Sequence, residues 1–282
     1  MKFGINTWVW TAPLTTDKLR QIAPKVAEIG FDIIELPLEN LDDLDHSMAR
    51  QIIEDQGLGV STCAAMGPDR DLIHPNASIR TSGMNYIKAA IDACEAVGAT
   101  NLVGPIYASV GRTWKQTPEE RAKDLDLLVD NLTELSSYAE DHGVVLGLEP
   151  LNRFETSFIN IADQVIEVVD RVDSPACGIM LDTFHMNIEE KDLGDAIRAA
   201  GDRLVQVHAC ENDRGAPGSG NVTWDGVAAA LKDIGYDGPV VIESFTPEVE
   251  SISRAAAIWR PLASSPEDLA RDGLAFLKNL LG

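Results

Sequence analysis

The chain has 282 residues, 45% of them hydrophobic, enough for one full core of the size usual for an α/β barrel. Its 23 basic and 45 acidic residues leave a formal charge of −22, which repels nucleic acid and anionic membrane surfaces and argues against either as a partner. No apolar run approaches the ~18 residues needed to span a bilayer, and the opening MKFGINTWVW lacks the charged-then-apolar pattern of a secretion signal. Cys63, Cys94, Cys177 and Cys210 have no paired spacing, so reduced, mostly buried thiols in a cytoplasmic protein are expected.

Taken in order, the pattern alternates between strand and helix. Phe3–Trp8 reads as a strand, Asp17–Ile29 as a helix stopped at Gly30, Phe31–Leu36 as a strand, and Ser47–Gln56 as a helix stopped at Gly57. Leu58–Ala64 is strand-like, Ile79–Val97 is a long helix ended by Gly98, and Asn101–Val103 is a short strand. Thr117 and Pro118 open a helix that runs to Asp141. Strand Val144–Leu148, helix Ile161–Val172, strand Cys177–Leu181 and helix Leu193–Ala200 follow. Strand Leu204–Val207, helix Trp224–Ile234, strand Val240–Ile242 and helix Pro266–Leu281 complete the chain. Eight strands alternating with eight helices call for a parallel sheet, and in this length they predict a (β/α)8 TIM barrel. A doubly wound open sheet is disfavoured, because no Gly-rich dinucleotide fingerprint follows the first strand. With no linker or low-complexity segment, residues 1–282 are read as one catalytic domain.

In such a barrel the active site lies where the strands end. The fifth strand ends at Glu149, the sixth at Asp182, the seventh at His208 and the eighth at Glu243, separations of 33, 26 and 35 residues, each about one βα unit. Asp182 alone could be a helix cap or loop brace, and a lone histidine is usually a satisfied core residue. Together the four bring three carboxylates and an imidazole to one mouth. Three like charges repel unless a cation sits among them. Three oxygen ligands and one nitrogen suit Mn²⁺ or Mg²⁺, with Co²⁺ also able to bind, and the lack of thiolate is untypical of structural zinc. Cys210 stands two residues from His208, but Ala209-Cys210-Glu211 reads as loop, and Cys63, Cys94 and Cys177 read as core.

The segments LEPLNRFET, LDTFHMNIEE, VHACENDRGAPGSG and VIESF resemble those of the ketose 3-epimerases, the D-tagatose 3-epimerase and D-allulose (D-psicose) 3-epimerase family. The likeness extends from KFGINTWVW through GFDIIELPL to IWRPLA and is weakest in the N-terminal third. It implies a divalent-metal barrel, a homodimer or homotetramer, with metal ligands on Glu149, Asp182, His208 and Glu243. It further implies that Glu155, His185 and Arg214 grip the ketose near O1 to O3, with Trp114 and Phe245 lining the sugar pocket. Glu149 and Glu243 would move protons at C3 through an enediolate. Free ketoses are then the expected substrates: D-fructose/D-allulose, D-tagatose/D-sorbose and L-ribulose.

The residues leave alternatives at several positions. Arg214 could instead form a loop salt bridge with Glu211 or Asp213, GAPGSG could be a plain surface turn, and Trp114 and Phe245 could be core. The chain also departs from the family: where many members have a tyrosine facing the sugar, Asn6 and Thr7 stand here, so Asn6 is expected to alter selectivity. Pro150 replaces a usual valine, and Asp213 a common asparagine. Competing readings are a hydroxypyruvate isomerase-like or inosose dehydratase-like enzyme, a non-catalytic sugar binder, and an apurinic-site nuclease. The charge and the five histidines, His46, His74, His142, His185 and His208, oppose the last of these.

Overall fold

The computed structural model describes residues 1–282, apart from the side chains of residues 251, 252 and 255. Eight strands, β1 (Lys2–Asn6), β2 (Ile33–Pro37), β3 (Gly59–Cys63), β4 (Asn101–Gly104), β5 (Val145–Leu148), β6 (Cys177–Asp182), β7 (Leu204–Ala209) and β8 (Pro239–Ile242), pair in parallel and in sequence order. β1 closes on β8 through Phe3 opposite Val240 and Ile5 opposite Ile242. This is the closed barrel expected from the alternation of strands and helices.

The helices form where the sequence offers start and stop signals. In α1 (Thr16–Ile29) the Thr15 side chain caps the N-terminus and Gly30 ends the helix in the left-handed region. α2 (His46–Asp55) is capped by Asp45 and α3 (Ala77–Val97) by Asn76. α4 (Pro118–Asp141) opens with a full capping box between Thr117 and Glu120. α5 (Ala162–Val172) follows β5. β6 leads into α6 (Thr183–Glu189) and then α7 (Leu193–Ala200). α8 (Trp224–Asp233) precedes β8, and α9 (Glu250–Ala255) and α10 (Pro266–Leu281) follow it.

Strand alternation decides which side chains enter the barrel. Ile34 and Leu36, Leu146 and Leu148, Ile179 and Leu181, and Val240 and Ile242 point outward into the core shared with the helices. The intervening positions point inward, where Cys63, Val103 and Met180 pack together with Trp8 and Val205 against them. Glu149, Asp182, His208 and Glu243 all share the inward parity of their strands. Asp182 pairs with His208 in the β6–β7 register. Side chains from four different loops and strands therefore converge at one end of the barrel.

Some expectations need correction. β1 stops at Asn6, because the Asn6 side chain accepts from Trp8 N at 2.8 Å and turns Thr7–Val9 into a 3-10 helix. A short helix with no counterpart among the expected elements, α6, begins at Thr183, directly after β6. Glu189 is its last residue and Glu190 its C-cap. Glu189 takes a forked contact from Arg153, with Nε at 2.9 Å and Nη2 at 3.0 Å, which fastens the β5–α5 loop to α6. α9 has no counterpart among the expected elements.

Candidate active site

Asp182 serves two roles that the sequence left as alternatives. One carboxylate oxygen caps α6, accepting from Phe184 N at 2.6 Å. The other receives Arg214 Nη1. Ligand atoms of Glu149, Asp182 and His208 lie within 4.8 Å of one another, and all three residues are buried. Glu243 adjoins this triad: its Oε1 is 3.3 Å from His208 Nδ1, and its Oε2 accepts from Arg214 Nη1 at 2.6 Å.

Arg214 reaches the centre from the β7–α8 loop, where it adopts a left-handed φ of 68°. The loop is held from both sides. Glu211, fully buried, accepts from Gly218 N at 2.8 Å, Val222 N at 3.1 Å and Trp224 Nε1 at 2.6 Å. Ser244 Oγ donates to Arg214 O at 2.6 Å. The guanidinium lies 4.1 Å from the Phe184 ring centroid and 5.3 Å from that of Phe245. Arg214 therefore pairs with Asp182 and Glu243, not with Glu211 or Asp213; of GAPGSG, Gly215, Ala216 and Pro217 are buried, while Gly218, Ser219 and Gly220 are exposed as a surface turn would be. Asp213 instead meets Arg260.

The mouth opens into a cavity of about 210 Å³ whose lining includes Trp8, Glu39, Met66, Glu149, Glu155, His185, Arg214, Glu243 and Phe245. Trp8 and Phe245 face each other with centroids 5.5 Å apart. Glu155 is positioned by Asn152 Nδ2 at 2.7 Å. His185 Nδ1 accepts from Asn152 N at 3.0 Å. That bond assigns the neutral-ring proton to Nε2, which lies 3.5 Å from Glu149 Oε1.

Burial and charge separate these groups. Burial, together with Glu243 and Asp182, pushes Glu149 well above the ordinary carboxylate range. Burial opposes ionisation of Glu243 as well, but His208 and Arg214 outweigh it and bring the carboxyl down to about 2. Burial also raises Glu155. At His208 burial disfavours the charged ring, yet Glu35 and Glu243 win and raise it well above the histidine range.

Burial and the adjacent Arg214 lower His185 to about 3. Its ring should therefore stay neutral from pH 5 to 8, with constant ¹⁵N ring shifts in histidine-labelled protein; a midpoint near 6.5 would contradict this. The unfolded ring binds a proton near pH 6.5 and the folded one does not. His185 therefore destabilises the fold progressively as pH falls from about 6.5 toward 3.

The donor set fits a hard divalent cation: carboxylate oxygens, one imidazole and no thiolate within the triad. Both ring nitrogens of His208 are buried without an aligned hydrogen-bond partner. Cys210 is outside the set; its Sγ lies 3.4 Å from Asp182 Oδ1, and all four cysteines are buried and free.

The structure does not bring two expected contacts to the mouth. Trp114 is 51% exposed, lies over Arg112 and lines a separate surface cleft with Arg80, Lys115 and Lys123. Asn6 is fully buried beneath the mouth, donating to Glu35 Oε1 at 2.8 Å and Cys63 Sγ at 3.2 Å. Its short side chain is drawn to the carboxylate below, and Trp8 forms the wall instead. Sequence reasoning passed over Glu35, Glu39 and Asn152. A charged residue inside the apolar run FDIIEL was the available signal for Glu35; Glu39 and Asn152 stand in loops without periodicity.

A family model described as a xylose isomerase-like TIM barrel matches residues 23–280. A ketose 3-epimerase from Arthrobacter globiformis is 32% identical over 283 residues, spanning 100% of this chain and 97% of that protein. The D-psicose 3-epimerase of Enterocloster bolteae is 34% identical, with 100% of this chain and 96% of that protein covered. The solved D-allulose 3-epimerase from Methylomonas sp., in complex with D-allulose, has a TM-score of 0.93 at 31% identity, over 99% of this chain and 97% of that one. With its closed parallel barrel and converging inward side chains, the chain belongs to the xylose isomerase-like TIM barrel family and, within it, to the ketose 3-epimerases, which are carbohydrate epimerases.

Proposed function

We propose that this protein is a metal-dependent epimerase that inverts C3 of free ketoses. The observation that carries this reading is the buried Glu149–Asp182–His208 triad at the barrel mouth, with Glu243 beside it. Those four residues would hold Mn²⁺, with Co²⁺ or Mg²⁺ as alternatives. The names of the relatives, D-psicose and L-ribulose 3-epimerases among them, support D-fructose/D-allulose, D-tagatose/D-sorbose and L-ribulose as the substrates to test.

A divalent cation held by those four residues would supply the positive charge that polarises a carbonyl and offsets negative charge developing on the ketose oxygens. Glu149 and Glu243 stand just after β5 and β8, so the sugar can lie between them and the two can act as base and acid. One takes the C3 proton from one face and the other delivers one from the opposite face; the reverse reaction exchanges the roles. His185 Nε2 and Arg214 Nη2 lie 3.0 Å apart. Both carry hydrogen when Nδ1 accepts from Asn152, so this is a donor facing a donor. A sugar oxygen entering between them would accept from both, which orients the ketose at O1 or O2. Glu155 accepts from a further hydroxyl. Trp8 and Phe245 cover an apolar face of the sugar and exclude water.

Among the described residues no helix is long and apolar enough to cross a membrane. One catalytic domain over residues 1–282, in the cytoplasm and assembled as a homodimer or homotetramer, completes the reading. Chelator should abolish turnover, and Mn²⁺ or Co²⁺ should restore it, with products identified by chromatography across a panel of ketoses. Full activity in protein shown by elemental analysis to be metal-free would contradict the metal dependence. A strong preference for a phosphorylated ketose would contradict the substrate class.

A further inference from the structure

Beneath the mouth, five strands contribute to a buried polar layer that ends on one carboxylate. Glu35 of β2 is fully buried. Its Oε1 accepts from Asn6 Nδ2 at 2.8 Å, and its Oε2 from Ser61 Oγ at 2.9 Å and Gln206 Nε2 at 2.5 Å. Asn101 Nδ2 donates in turn to Ser61 Oγ at 3.0 Å and Gln206 Oε1 at 2.8 Å. Asn6 and Gln206 present Glu35 with amide donors, one on each carboxylate oxygen, and the single Ser61 hydroxyl hydrogen can turn to Glu35 Oε2 or to Gln206 Oε1 at 2.8 Å, an arrangement that suits an acceptor anion. A buried anion needs a cationic partner. That partner is His208, whose Nε2 lies 2.9 Å from Glu35 Oε1. Neither ring nitrogen is aligned for a straight hydrogen bond, so the two edges of the ring are held as charge pairs: Nε2 by Glu35 and Nδ1 by Glu243 at 3.3 Å.

We propose that Glu35 is a positioning residue for the metal centre: when a cation binds and the Nδ1 proton is released to solvent, Glu35 keeps the other proton on His208 Nε2 and so presents Nδ1 as the ligand nitrogen. It touches neither the ketose nor the cation and acts through the imidazole, as outer carboxylates do for other metal-bound histidines. This inference rests on the metal dependence proposed for the mouth.

The test strips the full-length protein of metal and titrates it with Mn²⁺ by calorimetry. Glu35→Gln should weaken binding roughly 10- to 100-fold. Ser61→Ala, which removes one bond to the other carboxylate oxygen and keeps the charge, should bind Mn²⁺ as the wild type does. Equal weakening in both variants, or wild-type affinity in Glu35→Gln, would overturn the proposal. A wild type that binds no Mn²⁺ would instead sink the metal reading itself. An arm that needs no variant to fold uses ¹⁵N-histidine NMR of the Mg²⁺-loaded wild type. His208 should retain its proton on Nε2, and a proton on Nδ1 with ligation through Nε2 would also overturn the proposal.

Discussion

Glu149→Gln and Glu243→Gln should each lose net epimerisation by roughly 10²–10⁴-fold from the missing acid or base, with further loss because each also withdraws a candidate metal ligand. The first part corresponds to about 3–5 kcal/mol of barrier lowering. The two variants should differ in stability. Burial and two neighbouring carboxylates penalise the Glu149 anion, so a neutral amide relieves repulsion, and metal-stripped Glu149→Gln should melt at or above the wild-type temperature. Glu243 is a bonded anion instead. Removing its charge leaves Arg214 with Asp182 and His208 with Glu35, so Glu243→Gln should melt lower.

The pH dependence of the metal-stripped fold follows the same signs. The raised Glu149 contributes stability at low pH that is lost as pH climbs above about 4.5, where the unfolded chain ionises and the folded one resists. The lowered Glu243 contributes stability above that point, lost as pH falls toward 2. Kinetics of both variants, paired with calorimetric melting, check these statements. Either variant within tenfold of wild-type kcat/KM would remove that glutamate from the chemistry.

Asp182→Asn should remove metal binding and turnover together while keeping the barrel. The amide oxygen can still accept from Phe184 N, so α6 keeps its cap. What disappears is the charge shared with Glu149 and His208 in the triad, and one of the two carboxylates on the Arg214 guanidinium. Arg214 retains Glu243, so its burial stays compensated. Metal content by elemental analysis should fall to background while circular dichroism remains that of the wild type. Stoichiometric metal with normal turnover would show that Asp182 serves only as cap and brace.

The scaffold was legible because its signals are periodic. Short apolar runs separated by capped amphipathic segments specify the strand order, and the position after the last apolar residue locates Glu149, Asp182, His208 and Glu243 on the inner face. Residues whose direction depends on local loop geometry were less legible. Asn6 reads as a mouth residue if β1 runs on to Trp8; its own side chain caps the 3-10 turn that ends the strand early. Trp114 lies in the aperiodic segment between β4 and α4, where no pattern specifies a direction, and its ring meets Arg112 outside the mouth. Arg214 reaches two distant carboxylates through a left-handed backbone that its sequence neighbours do not announce. Glu35 was visible as a charge within an apolar strand, but its partner, 173 positions later at His208, becomes apparent only once β2 and β7 face each other across the barrel.

Inversion at C3 by two carboxylates makes one demand that no bystander role shares: the proton removed is not the proton returned. The most direct measurement is turnover of D-fructose or D-tagatose by the metal-loaded wild type in deuterium oxide, with the product's C3 position read by NMR. The expected product is an epimer carrying deuterium at C3, because the base that accepts the substrate proton is not the acid that supplies the new one. A product that keeps its original C3 hydrogen in full would contradict it and require a single-base or hydride-transfer route.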